Sequence, residues 1–296
     1  MREKARVTGD AGWPRPKIAI IGPGNFGSAL AISLRAAHYK VTEIVSREGK
    51  SSRLRARALA RRVGSRVTVL GNSDISADVV WLCVPDREIA SCARELANQA
   101  LWQARVAVHS SGALSSDELD VLRQQGAKVA SAHPLMTFVP GVRSSLAGVG
   151  FAVEGDAAAV RVVQRIIVAI GGRAFPIRKQ DKAIYHAWGT FASPLLTALL
   201  AMSERVAEAA GVDREQARRR MLPIVRQTVE NYASRGAARG FSGPIVRGDT
   251  ATVSRHLKAL RDVAGAGEVY RALARAALQT LPAKNRKQLA RVLGQR

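Results

Sequence analysis

The sequence predicts an α/β domain followed by an all-α domain, and three observations predict it. Short apolar, β-branched runs alternate with helix-like stretches over residues 17–177, the pattern of a parallel sheet with crossover helices. Continuous apolar runs such as VVWLCV at 79–84 suit strands covered on both faces. From residue 179 onward no strand-like run of useful length occurs, and helical periods take over.

The strands are expected at KIAIIG (17–22), KVTEIVS (40–46), RVTVLG (66–71), DVVWLCVP (78–85), RVAVHSS (105–111), KVASAHP (128–134), GVGFAVEG (148–155) and RAFPI (173–177). Ser115-Ser116-Asp117-Glu118 reads as a helix start whose side chains accept from free amides. Residues 182–210 read as one long apolar helix ended by Gly211, and a second helix starts after Asp213. An interruption follows at 235–250, RGAARGFSGPIVRGDT, then two or three helices up to the basic tail. The expected organisation is a flexible tail over 1–16, an α/β domain over 17–178 and a helical domain over 179–296, without internal repeats.

The 296 residues carry 47% hydrophobic content, enough for two domains with their own cores. No run approaches 18 apolar residues, and the first sixteen contain no apolar segment of the secretory kind, so no membrane partner is expected. Cys83 and Cys92 fit small buried thiols in a reducing compartment, which places the protein in the cytoplasm. The net charge of +23 comes largely from 36 arginines scattered along amphipathic segments. That scatter argues for a diffuse basic surface against a nucleic-acid site, and such a surface still favours anionic small ligands. No metal site is expected.

The first strand runs into Gly22-Pro23-Gly24-Asn25-Phe26-Gly27 and then into a helical stretch. In that context the glycines serve a tight turn, close approach to a pyrophosphate and helix-on-strand packing, the fingerprint of a Rossmann domain. The second strand ends in Ser46-Arg47, where an NAD site usually presents an acid. A hydroxyl and a guanidinium suit a 2′-phosphate instead, so NADP(H) is the expected cofactor. Val84 and Pro85, at the end of the fourth strand, are expected on the nicotinamide wall. The next strand ends in His109-Ser110-Ser111-Gly112, whose Ser111 is a candidate for holding a substrate oxygen. His133 is either a structural or a site histidine. Lys182 and His186, one helical turn apart with Tyr185 beside them, share a face. Lys182 reads either as an acid or oxyanion partner or as a solvated first-turn residue.

With GPGNFGSAL, HSSGALSS, KAIYHAWGTFAS and GFSGPIVRGDTATVSRHL in hand, the chain from residue 17 to its end resembles a known group. These are Rossmann-like oxidoreductase proteins with a C-terminal domain of unknown function 2520. They are related to pyrroline-5-carboxylate reductase, ketopantoate reductase, 6-phosphogluconate and β-hydroxyacid dehydrogenases, and F420-dependent NADP reductases. The segment at 242–249 with His256 carries most of the likeness. The resemblance implies a helical domain like the C-terminal domain of 6-phosphogluconate dehydrogenase, NADP(H) binding, a homodimer formed through that domain and a site between the two domains. In the β-hydroxyacid dehydrogenase relatives a Lys-x-x-x-Asn pair does the proton chemistry, and this chain has Lys182-x-x-x-His186. Lys182, His186 and Ser111 are thus the expected catalytic residues, acting on a small carboxylate-bearing carbonyl, imine or hydroxy compound. The alternative is a sensor or scaffold that binds NADP(H) without turnover. Asp249 either contacts a ligand or caps the next helix, with Arg247 orienting a ligand or Asp249 itself.

Overall fold

The computed structural model describes residues 14–71, 75–98 and 102–294. Most of the expected tail lies outside them. The chain divides into two compact units, residues 1–192 and 193–296.

The first unit is a doubly wound α/β domain. In order it contains β1 (Ile18–Ile21), α1 (Asn25–Ala36), β2 (Val41–Ser46), α2 (Lys50–Val63), β3 (Arg66–Val69), β4 (Val79–Leu82), α3 (Asp86–Ala97), β5 (Val106–His109), α4 (Asp120–Gln124), β6 (Lys128–Pro134), β7 (Gly150–Gly155), α5 (Ala157–Ala169), β8 (Arg173–Pro176) and α6 (Lys182–Ala192). Each strand falls within one of the eight expected runs. The sheet order is β3-β2-β1-β4-β5-β6-β7-β8. The first six strands are parallel, β7 is antiparallel to β6, and β8 is parallel to β7. Chain order reverses between β1 and β4, the position where such sheets open a crevice beyond the strand C-termini.

Strand alternation divides the core into two layers. Ile18, Ile20, Val79 and Trp81 face Leu30 and Leu34 of α1, Leu59 of α2 and Ile166 of α5. Ala19, Ile21, Val80 and Leu82 face Ile89 and Leu96 of α3 and Leu122 of α4. Burial of the strands on both faces explains their unbroken apolar runs. Cys83 and Cys92 are free thiols, with Cys92 buried in the second layer.

The second unit contains α7 (Pro194–Ala209), α8 (Arg214–Gly240), a single turn α9 (Pro244–Arg247), α10 (Thr250–Ala259), α11 (Ala266–Thr280) and α12 (Arg286–Val292). The single helix expected over 182–210 is two. Ser193 leaves the helical region at φ −130°, ψ −76°, and Pro194 starts a new helix at its first position. A proline there loses no helical hydrogen bond, while it disfavours helical backbone in the residue before it. The expected interruption is also shorter, because α8 continues to Gly240 across a non-helical Gly236. Asp213 caps α8 by accepting from the Gln216 amide at 3.0 Å. Val253, Leu257, Ala274, Leu278, Leu289 and Leu293 form the core. Among the described residues no helix is long and apolar enough to cross a membrane.

Candidate functional site

The glycine loop joins β1 to α1, and the geometry of each glycine differs. Gly22 has φ +99°, and a Cβ there would lie 2.5 Å from the Cys83 carbonyl oxygen. A Cβ on Gly27 would lie 2.2 Å from the Gly22 carbonyl oxygen, backbone against backbone. Gly24 caps α1 with no side-chain acceptor, and a Cβ there would meet nothing within 4 Å. Gly22 and Gly27 therefore let the turn close, while Gly24 leaves open space before the unfilled amides of the helix N-terminus, a place for an anion. The side chains of Asn25 and Phe26 are used locally. Asn25 donates to the Phe138 carbonyl at 3.2 Å, and Phe26 packs on the Phe138 ring, so the loop after β6 is fastened beside the glycines.

A cavity of about 520 Å³ runs from this loop along the strand ends, lined by Gly22, Pro23, Gly24, Asn25, Arg47, Ser52, Arg55, Val84 and Pro85 among others. Nine of the ten residues expected to hold a dinucleotide lie on this wall or, as Phe26 and Gly27 do, inside the turn behind it. Ser46 is the correction. It is fully buried within β2, and its hydroxyl is directed at the Thr68 carbonyl, 3.5 Å away, so it presents nothing to the cavity. Ser52 and Arg55, from the first turns of α2, stand in its place. Their signal was the run EGKSSRLR directly after Arg47, one turn of helix from the strand end. Arg47 is 59% exposed in its side chain and pairs with Glu88 of α3 at 2.7 Å. Between them opens a second cavity, of about 400 Å³, that includes Leu70, Val84 and Cys92.

At the ends of β5 and β6 two of the three expected catalytic residues, Ser111 and Lys182, meet in a buried network, and His186 stays outside it. Ser111 is 3% exposed; its Oγ donates to Asp86 at 2.8 Å and accepts from the amides of Ala113 and Leu114. The hydroxyl thus shapes the HSSG turn and has no capacity left for a substrate oxygen. Lys182 is 1% exposed, and its Nζ donates to the Ser111 carbonyl at 2.9 Å and to Ser131 Oγ at 2.6 Å, with Glu154 Oε1 at 3.9 Å. Glu154 in turn accepts from the amide and hydroxyl of Ser116. Burial pulls the lysine down to about 8, against the opposing pull of Glu154 and Asp86. In these contacts the ammonium points inward, which corrects both readings of Lys182: it is neither solvated nor turned toward open space.

Three histidines surround the same turn. His109 is fully buried; its Nδ1 accepts from the Ser111 amide at 3.1 Å, so Nε2–H donates to the Ser115 carbonyl at 2.8 Å. Burial lowers it to about 4. His133 Nδ1 lies 2.8 Å from the Tyr185 hydroxyl, and its ring meets His186 edge-on at 5.9 Å. His186 is exposed. A Cβ on Gly112 would lie 2.6 Å from the His186 ring and 2.9 Å from His133 Nε2, so glycine is needed where the turn passes both imidazoles.

In the second unit Asp249 caps α10, accepting from the Thr252 amide at 2.9 Å. His256 pairs with the Tyr270 hydroxyl at 3.1 Å on the wall of an apolar cleft of about 540 Å³. Among the described residues no group of three or more His, Cys, Asp or Glu is placed to hold a metal ion.

Comparison with known proteins agrees with this architecture. The chain matches the Rossmann-like domain over residues 2–134 and the domain of unknown function DUF2520 over residues 149–277. No curated protein matches. Among solved structures, BF3122 of Bacteroides fragilis, named as a candidate NADP oxidoreductase, superposes with a TM-score of 0.73 at 18% identity, covering 88% of this chain and 97% of its own. Protein TM1727 of Thermotoga maritima gives 0.70 at 24% identity, covering 93% and 98%. An imine reductase from Myxococcus stipitatus in complex with NADP+ gives 0.64 at 16% identity, covering 89% and 94%.

Proposed function

We propose that this chain, which belongs to the proteins that join a Rossmann-like domain to DUF2520, is an NADP(H)-dependent oxidoreductase. Its substrate is a small, carboxylate-bearing carbonyl, imine or hydroxy compound. The observation that carries the reading is that the glycine loop shares one cavity with Arg47, Ser52 and Arg55. A pyrophosphate fits the open space at Gly24, and a 2′-phosphate fits two guanidiniums and a hydroxyl at the end of β2. Arg47 also stacks an adenine against the wall of Leu70 and Val84. Val84 and Pro85 line the nicotinamide side. When bound, the cofactor supplies or accepts the hydride. The NADP+ carried by the imine reductase neighbour supports the same assignment.

Residues 17–178 hold the dinucleotide in this reading, and residues 179–296 supply substrate contacts and the interface of a homodimer. Ile224 and Tyr232 of α8, 69% and 64% exposed, are the kind of apolar surface that a second copy covers. Lys182 and Ser111 act as positioning residues that fix the HSSG turn, with His186 beside the substrate. The free thiols at Cys83 and Cys92 support a reducing, cytoplasmic setting.

Titration calorimetry with NADPH and NADH tests the reading. Tight binding of NADPH is expected, and binding of neither sinks it. The inward Lys182 favours one second reading, a sensor that binds NADP(H) without turnover. Oxidation of NADPH against a panel of 2-oxo acids and imines separates the two.

A further inference from the structure

The cavity between Arg47 and α3 is built unlike the one at the glycine loop. Its α3 wall is one helical face, Glu88, Ser91, Cys92 and Glu95, at spacings of three and four residues. Leu70, Val84 and the buried Cys92 supply apolar surface. Burial, reinforced by Glu95 and Glu88, pushes the Cys92 thiol up to about 12, so it stays a neutral S–H. The charged groups are one guanidinium, Arg47, and three carboxylates, Glu48, Glu88 and Glu95. In a chain of net charge +23 this is a local excess of negative charge, and it disfavours a phosphate there. The glycine-loop cavity carries Arg47 and Arg55 and, among the described residues, no carboxylate. The two cavities share Arg47 and Val84, so a dinucleotide whose phosphates occupy one places its flat base in the other.

Glu88 has a carboxylate oxygen to spare. Its ion pairs, to Arg47 Nη1 at 2.7 Å and to Arg87 Nε at 3.9 Å, are both made through Oε1. Oε2 is buried and has no hydrogen-bond partner among the described residues. A place in the first turn of α3 accounts for a negative side chain, but for neither its burial, to 16% exposure, nor its unpaired oxygen. A buried acceptor left unpaired is costly, so its complement is a donor on whatever fills the cavity. The last torsion of a glutamate is broad and two-fold, so the carboxylate can turn Oε2 toward the cavity without leaving the reach of Arg47.

We propose that Glu88 reads the base of the dinucleotide, its carboxylate accepting a hydrogen bond from the 6-amino group of adenine. The inference rests on the dinucleotide reading above and adds base specificity to it. In a dinucleotide the 6-amino group is the only hydrogen-bond donor that the adenine ring offers. An ionised carboxylate only accepts, so it pairs with that amine and is repelled by the 6-oxo group that hypoxanthine carries at the same position. Arg47 lies on one face of the ring while Glu88 holds its edge, which fixes the base in rotation as well as in depth.

The test is calorimetry on the full-length chain with two probes that differ at one position, NADPH and its reduced hypoxanthine counterpart. The parent is expected to bind NADPH about 10–100-fold more tightly, the worth of one hydrogen bond to a charged acceptor. In Glu88→Gln the side-chain amide turns either to accept from the amino group or to donate to the oxo group, so the ratio is expected to fall to within about threefold. A Glu88 that only steadies Arg47 gives equal losses for both probes and an unchanged ratio, and that result overturns the inference. The same titrations with NADH and its hypoxanthine counterpart are expected to give the same ratio; a preference seen only with the 2′-phosphate present counts against it. Should circular dichroism show Glu88→Gln unfolded, the parent's ratio decides alone. Equal binding of both probes by the parent removes the role of Glu88 and leaves the dinucleotide reading standing, whereas binding of neither removes that reading and this inference together.

Discussion

Replacing Lys182 by methionine separates a side chain that acts on a substrate from one that holds a turn. Loss of the ammonium leaves Glu154 buried with only the two donors of Ser116, and it deprives the Ser111 carbonyl and Ser131 Oγ of contacts at 2.9 and 2.6 Å. Lys182 and Glu154 are a buried pair 3.9 Å apart, and removing one partner of a buried ion pair costs about 3–5 kcal/mol. Methionine fills nearly the same volume, so packing adds less than about 1.5 kcal/mol. At an unfolding slope of about 2 kcal/mol per molar urea, a loss of about 3 kcal/mol moves the first unit's midpoint by about 1.5 M. Trp81 and Trp102, both fully buried in that unit, report it by fluorescence. Adding Glu154→Gln to Lys182→Met removes the stranded charge and is expected to recover about half of the loss. A Lys182→Met protein destabilised by less than about 1 kcal/mol, yet inactive in NADPH oxidation, would refute the reasoning, since a solvated catalytic lysine gives that result.

Further outcomes follow from the same geometry. Gly27→Ala drives a Cβ onto the Gly22 carbonyl with no side chain to yield, so both folding stability and NADPH binding fall, whereas Gly24→Ala meets nothing and weakens binding alone. Thermal melts and calorimetry on the pair check this, and a Gly27→Ala that melts like the parent contradicts it. Arg47→Ala and Arg55→Ala are each expected to weaken NADPH by about 10–100-fold, the worth of a charged hydrogen bond, and NADH far less. Equal losses for both cofactors argue against a 2′-phosphate site. His109, lowered from 6.5 to about 4 by burial, binds fewer protons folded than unfolded between those values, so stability is lost as pH falls through that window. Its share between pH 7 and pH 5 is about 1.8 kcal/mol. Urea midpoints of the parent should fall over that range more than those of His109→Asn, and parallel slopes count against the assignment.

The strand runs and the glycine loop could be read directly because their patterns are local: a buried parallel strand is apolar throughout, and GPGNFG is contiguous. The joint at Ser193-Pro194 is equally local, but the apolar periodicity on both sides of it runs on unbroken and hides the serine-proline step. What could not be read was direction. Ser46 alternates into the sheet interior, and strand period alone does not say which of Val45 and Ser46 faces the cavity. The sequence points to Lys182 and Ser111 together, but their contacts depend on Glu154, carried by the antiparallel β7, and no spacing in the chain relates 154 to 182. The same holds for Gly112 and its two histidines, which meet only once β6 and α6 are in place.

The sheet ends in two open edges, β3 and β8, and both are poor templates for another chain. Each is only four residues long. Arg66 of β3 is held to Glu43 of β2 at 2.5 Å, while β8 carries exposed Arg173 at one end and Pro176, which has no amide hydrogen, at the other. Edge-to-edge extension of the sheet is thereby discouraged on either side. Two copies of this chain would then have to meet through side-chain surfaces and not through shared strands.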